Sequence, residues 1–255
     1  MTTQTLPNTL DLTGTVALVT GATSGIGRST AIALAARGAR VLVHGRDASR
    51  GEEVVSAIGD NGGEAEVLIG DLADAHDVAA LARHAAERGH VDILVNNAAL
   101  YPIGGLTPET PAQDIDAAFA VNVRAPFLLV AALAPAMAER GNGAIVNVLA
   151  TPAQIGIAGI GLYGASKAAL GSLTRSWAAE FGPKGVRVNA VSPGPAATPG
   201  TAQFGEFLGH IAAQAPAGRI ADPAEIAAAI SYLAGPGASF VQGVVLPVDG
   251  GRTAV

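Results

Sequence analysis

The stretch Val16-Ala-Leu-Val-Thr-Gly-Ala-Thr-Ser-Gly-Ile-Gly27 passes from a short β-branched run through a glycine-rich turn into the alanine-rich segment Gly27 to Arg37. Strand, tight turn and helix in that order put small residues where backbone can approach a ligand closely. The free amides at the helix start attract negative charge. No Gly-Lys-Ser/Thr follows, so the turn is not a Walker A loop. A glycine cluster can also be a tight turn and nothing more. Its position between first strand and first helix favours a dinucleotide pyrophosphate.

The same alternation runs to the C-terminus. Val41–His44, Ala65–Ile69, Asp92–Val95, Ala144–Val148, Val186–Val191 and Val244–Leu246 read as further strands. Most are continuous apolar runs, as expected for strands covered on both faces. Ala48–Ile58, Asp74–Arg88, Ala165–Phe181 and Pro223–Ala234 read as helices, with Asp222-Pro223 as a helix entry and Gly38 as a helix exit. The pattern predicts an α/β fold, a doubly wound parallel sheet (Rossmann-type) of about seven strands with helices on both faces. One domain is expected over 1–255, with an irregular substrate-loop insert at about 193–216. Ligands in such sheets bind at the carboxyl ends of strands. Chemistry is therefore expected just after Val19, Val43, Val95, Val148 and Val191.

With 49% hydrophobic and 14% charged residues, the 255-residue chain is not disordered. Fifteen basic against 21 acidic residues leave a net charge of -6, so nucleic acid and anionic membrane are not expected partners. There are no cysteines, and the five histidines (44, 76, 84, 90 and 210) show no ligand-type clustering, so no metal is expected. The apolar stretch Ala125 to Ala138 falls short of the roughly 20 residues that span a bilayer and reads as a buried helix. The N-terminus has neither a basic n-region nor an apolar h-region, and a cytoplasmic location is expected.

The spacing Gly21-x-x-x-Gly25-x-Gly27 resembles the nucleotide fingerprint of the short-chain dehydrogenase/reductase family, and the likeness covers nearly the whole chain. Asp71-Leu72 follows the third strand, where the family uses an Asp beside adenine. Asn96-Asn97-Ala98 is similar to its Asn-Asn-Ala-Gly, with Ala99 for the last glycine. Asn122 stands in the setting of its active-site asparagine, Tyr163-Gly-Ala-Ser-Lys167 matches its Tyr-x-x-x-Lys, and Ser192-Pro193-Gly194 to Thr198 its Pro-Gly segment. The resemblance implies a nicotinamide dinucleotide held by Gly21, Thr23, Ser24, Gly25, Ile26, Gly27, Arg46, Asp71, Leu72, Asn97, Ala98, Tyr163, Lys167, Pro193, Gly194 and Thr198. An acid at the end of the second strand would select NAD(H). Gly45 stands there with Arg46 next, and a guanidinium suits a 2′-phosphate, so NADP(H) is favoured. The alternative is that Arg46 pairs with Asp47 or solvent. His44 reads either as a support for the phosphate or, as the favoured reading, as a strand-end residue without a role.

Tyr163 and Lys167 stand four apart and share a helix face, so an ammonium is expected to lower the phenol pKa towards working range. By resemblance Tyr163 is the proton donor, Lys167 also holds the nicotinamide ribose, and Asn122 anchors a relay water. The family's serine, 13 residues before the tyrosine, is replaced here by Ala150, and Leu149 precedes it. Thr151 is the nearest hydroxyl. Three readings stay open: a substrate needing little polarisation, such as a quinone; a ketoreductase in which Thr151 or a substrate hydroxyl fills in; or a silent, regulatory NADP(H)-binding protein. The pocket is expected to be walled by Leu100–Gly104, Ala150–Leu162 and Pro199–Gln214. Leu100, Tyr101, Ile103, Ile155, Ile157, Ile160, Leu162, Phe204, Phe207 and Leu208 there suit a hydrophobic small-molecule substrate. Extra apolar helix faces, with the family's habits, imply a homotetramer or homodimer.

Overall fold

Every second residue of a strand faces the same side of its sheet, and a sheet covered on both sides must be apolar at every position. The first strand shows this directly. In β1 (Val16–Val19), Leu18 enters one hydrophobic core while Ala17 and Val19 enter the other. The computed structural model describes residues 10–101 and 105–255. Ile103 and its neighbours, expected in the pocket wall, lie outside the described residues.

The remaining strands are β2 (Arg40–Gly45), β3 (Glu64–Ile69), β4 (Ile93–Asn96), β5 (Gly143–Val148), β6 (Val186–Pro193) and β7 (Val245–Val248). They form one parallel sheet in the order β3-β2-β1-β4-β5-β6-β7. The order turns back between β1 and β4. The carboxyl ends of these two strands therefore open the crevice in which doubly wound sheets bind ligands.

Helices α1 (Gly25–Ala35), α2 (Ala48–Gly59), α3 (Ala75–Glu87), α4 (Ala112–Phe119), α5 (Ala125–Arg140), α6 (Gly161–Phe181), α7 (Gly205–Ala212) and α8 (Pro223–Ala234) cover the faces. Asp222 caps α8 through Ala224 N–H, and Glu225 reaches back to the Asp222 amide, as the local sequence predicts. The Asp47 and Asp74 side chains cap α2 and α3 by accepting from the Arg50 and His76 amides. The run from Ala112 to Arg140 is long and apolar enough to cross a membrane by composition. Yet Leu129, Val130, Leu133, Ala134 and Met137 of α5 lie in the core, with α3 packed alongside. It is a core helix. Between α4 and α5, residues Ala120–Arg124 make one π-helical turn. Pro126 has no N–H to give the Asn122 carbonyl, so regular α pairing fails there.

Candidate active site

The glycine-rich turn is shaped by close approach. A Cβ on Gly27 would lie 2.2 Å from the Gly21 carbonyl oxygen, so no other residue fits. The Ser24 side chain makes no cap hydrogen bond, which leaves the first-turn amides of α1 open to an anion. Thr20 and Asn97 hold the turn from below. Thr20 Oγ1 accepts from the Asn97 and Ala98 amides, and Asn97 Nδ2 donates to the carbonyls of Thr20 and Gly21. The Asn97 side chain thus braces the cradle.

His44 has a role that sequence reading missed. Its Nδ1 accepts from Gly21 N–H at 3.4 Å and its Nε2 donates to the Gly70 carbonyl at 3.2 Å, tying the ends of β1, β2 and β3 together. Burial pulls its pKa down to about 4, so the ring stays neutral. A polar residue closing an otherwise apolar strand was the only sequence signal.

From this cradle one cavity of about 460 Å³ runs to Tyr163 and Lys167. It is lined by all of the proposed dinucleotide residues, and by Ala150 and Thr151. Arg46 is exposed at the end of β2, and Asp47 pairs with Arg50 instead of Arg46. A Cβ on Gly45 would meet Thr23 Cγ2 at 2.3 Å, so the position before Arg46 has no room for an acidic side chain unless Thr23 moves. The crevice and the open amides together fit a dinucleotide pyrophosphate.

Helix α6 begins at Gly161, four residues before the expected start, so Tyr163 sits in its first turn and Lys167 in its second. Lys167 Nζ is buried, donates to the Val148 carbonyl at 2.7 Å, and lies 5.8 Å from the Tyr163 ring centroid. Burial disfavours charge on both groups. It raises the Tyr163 phenol, with Tyr101 adding to the effect, and lowers Lys167 to about 7. This is opposite to the expected drop at Tyr163, because desolvation by burial dominates there.

Asn122 does not line the cavity. It is fully buried, its Oδ1 accepting from the Leu100 amide and its Nδ2 donating to the Leu100 carbonyl and to Ser166 Oγ. Ser166 Oγ in turn donates to the Tyr163 carbonyl. Asn122 therefore positions the loop after β4 and the first turn of α6. A second buried chain, Asn96 to Asn147 to Thr174, fastens β4 and β5 to the same helix.

The Thr151 hydroxyl is committed elsewhere, donating to the Pro193 carbonyl at 2.9 Å. Of the expected wall, Leu100, Tyr101, Ile157, Ile160, Phe204, Phe207 and Leu208 line the cavity, whereas Ile155 and Leu162 do not. Arg252, from the C-terminal turn, lines it as well and was not foreseen. Such a site, an anion cradle at the switch point of a parallel sheet leading to a buried tyrosine and lysine, defines a dinucleotide-dependent redox enzyme.

Comparison with known proteins agrees. The profile of the family described as enoyl-(acyl carrier protein) reductase matches residues 21–253. Cis-4-hydroxycyclohexanecarboxylate dehydrogenase of Sinomonas cyclohexanicum is 44% identical over 247 residues, covering 94% of this chain and 97% of its own. A solved structure described as a short chain dehydrogenase/reductase family protein has a TM-score of 0.89 at 49% identity, covering 96% of this chain and 100% of its own. A 3-oxoacyl-(acyl-carrier-protein) reductase of Agrobacterium tumefaciens C58, solved with NADP bound, has a TM-score of 0.93 at 30% identity, covering 98% and 100%. The chain belongs to the short-chain dehydrogenase/reductase family and is an oxidoreductase.

Proposed function

We propose that this oxidoreductase uses NADP(H) to interconvert a carbonyl and a hydroxyl on a hydrophobic, ring-type or quinone-like small molecule, as a cytoplasmic homotetramer or homodimer. The observation that carries the reading is the single cavity joining Arg46 and the open α1 amides to the Tyr163 phenol. Bound there, the nicotinamide supplies or accepts the hydride.

The chain's own residues do the rest. Tyr163, holding its proton through the neutral range, is placed to protonate the substrate oxygen in the reducing direction. Lys167, fixed to Val148, has two further N–H donors when charged, which suit ribose hydroxyls. Apolar side chains of Ile157, Ile160, Phe204 and Leu208 exclude water from the reacting end.

Arg252 refines the substrate class. Its Nη2 donates to Gln214 Oε1 at 3.1 Å, and among the described residues no carboxylate pairs with it. A cation without a counter-ion in a largely apolar cavity favours a substrate bearing a carboxylate. The Sinomonas relative is named for such a ring acid.

The test is turnover of 4-oxocyclohexanecarboxylate, cyclohexanone, a quinone and a diketone with NADPH and NADH. The reading expects faster use of NADPH and preference for the carboxylate over cyclohexanone. Coenzyme binding without turnover of any member would overturn it.

A further inference from the structure

We propose that Tyr101 donates the hydrogen bond to the substrate oxygen that the fifth-strand serine donates elsewhere in the family. The inference rests on the carbonyl-reducing reading above and names how that site works without a serine.

A ketone oxygen gaining charge needs donors, and the cavity holds few free ones. A hydroxyl has one proton to give. Thr23 and Ser24 belong to the glycine-rich turn at the phosphate end. Thr151 gives its proton to Pro193 O. Thr198 and Thr201 face each other at 3.0 Å, and Thr201 also donates to the Ala196 carbonyl at 2.7 Å. Position 150, where the serine would stand, is alanine. Among the hydroxyls that line the cavity, what remains is Tyr163 and one other phenol.

That phenol is Tyr101. Its ring packs on Tyr163, centroids 4.8 Å apart with planes tilted by 53°, and meets the edge of Phe204 at 5.2 Å. No hydrogen bond to its own hydroxyl occurs among the described residues. The backbone just before it is pinned, since Asn122 bonds both the amide and the carbonyl of Leu100 at 2.8 and 2.9 Å. Partial burial raises its pKa, so the phenol keeps its proton and remains a donor through the working pH range.

The chemistry balances without a new reactant. The carbonyl carbon takes the hydride, the π pair moves onto oxygen, and that oxygen takes the Tyr163 proton. Tyr101 keeps its proton throughout and only stabilises the developing charge, as an oxyanion-hole donor does.

Tyr101→Phe preserves the ring and removes the hydroxyl. With NADPH and 4-oxocyclohexanecarboxylate or an aromatic quinone, kcat is expected to fall about 100-fold or more, the usual loss of one oxyanion donor. KM should change far less. Adding Ala150→Ser to that variant is expected to recover at least about 10-fold, which a packing defect would not allow. An unchanged rate for Tyr101→Phe overturns the proposal, as does a loss that Ala150→Ser leaves untouched. If the parent is silent and Ala150→Ser alone turns over, Tyr101 does not replace the serine, although the family chemistry stands. If neither turns over while NADPH binds, the carbonyl-reducing reading falls, and this proposal with it.

Discussion

Lys167 Nζ donates to the Val148 carbonyl at 2.7 Å, which couples the protonation of a helix residue to the end of the fifth strand. Burial lowers this amine from 10.5 to about 7. Between those values the unfolded chain holds a proton that the folded chain has released, so stability should rise with pH across that window. The gain is on the order of 5 kcal/mol at most. Urea midpoints of the coenzyme-free protein at pH 6.5 and 9 check it, and Lys167→Met should flatten the slope.

His44 gives the same sign in a more acidic window. Its folded pKa of about 4 lies below the ordinary 6.5, so the unfolded chain binds the extra proton between the two. Stability is then lost as pH falls from about 6.5 to 4, by about 3 kcal/mol in all. His44→Gln should lack this component in acid titrations followed by circular dichroism, and should loosen coenzyme binding through the Gly21 turn.

Tyr163→Phe removes the proton donor while leaving the ring against Tyr101. Turnover should fall by about 10²- to 10⁴-fold, the range for general acid catalysis. NADPH affinity, read by fluorescence titration, should stay within about threefold.

Arg46→Ala should weaken NADPH by about 10-fold and NADH much less, because a charged hydrogen bond to phosphate is worth about 1.5–3 kcal/mol. Equal losses for both coenzymes would show that the exposed guanidinium does not read the 2′-phosphate.

Gly27→Ala places a Cβ 2.2 Å from the Gly21 carbonyl oxygen and 2.4 Å from Asn97 Nδ2. The turn must open to accept it. Calorimetry should find coenzyme affinity reduced by at least about 10-fold, with the far-ultraviolet circular dichroism of the sheet retained.

The strands, their parallel arrangement and the glycine turn were legible because each is written in consecutive residues. A β-branched run such as Val41–Val43 is a strand wherever it is buried on both faces, and Gly21-x-x-x-Gly25-x-Gly27 carries its own steric reason. Helices α4 and α7 were not read, being eight residues long with weak caps. The early start of α6 had no cap signature either, with Ile160 at the N-cap. Asn122 was recognisable by its setting, but its side chain proved to hold Leu100 and Ser166.

Local sequence, then, determined the layered fold, the glycine-rich turn and the tyrosine–lysine pair, since strand, turn and helix spacing depend on neighbours along the chain. Only the tertiary structure decided which polar groups are free to act. Thr151 is occupied by Pro193, 42 residues away, His44 by Gly21 and Gly70, and the Tyr101 ring packs on Tyr163 with no hydrogen bond to its hydroxyl among the described residues. A hydrogen bond or a desolvation is a relation between residues that folding brings together, and no stretch of sequence contains both partners.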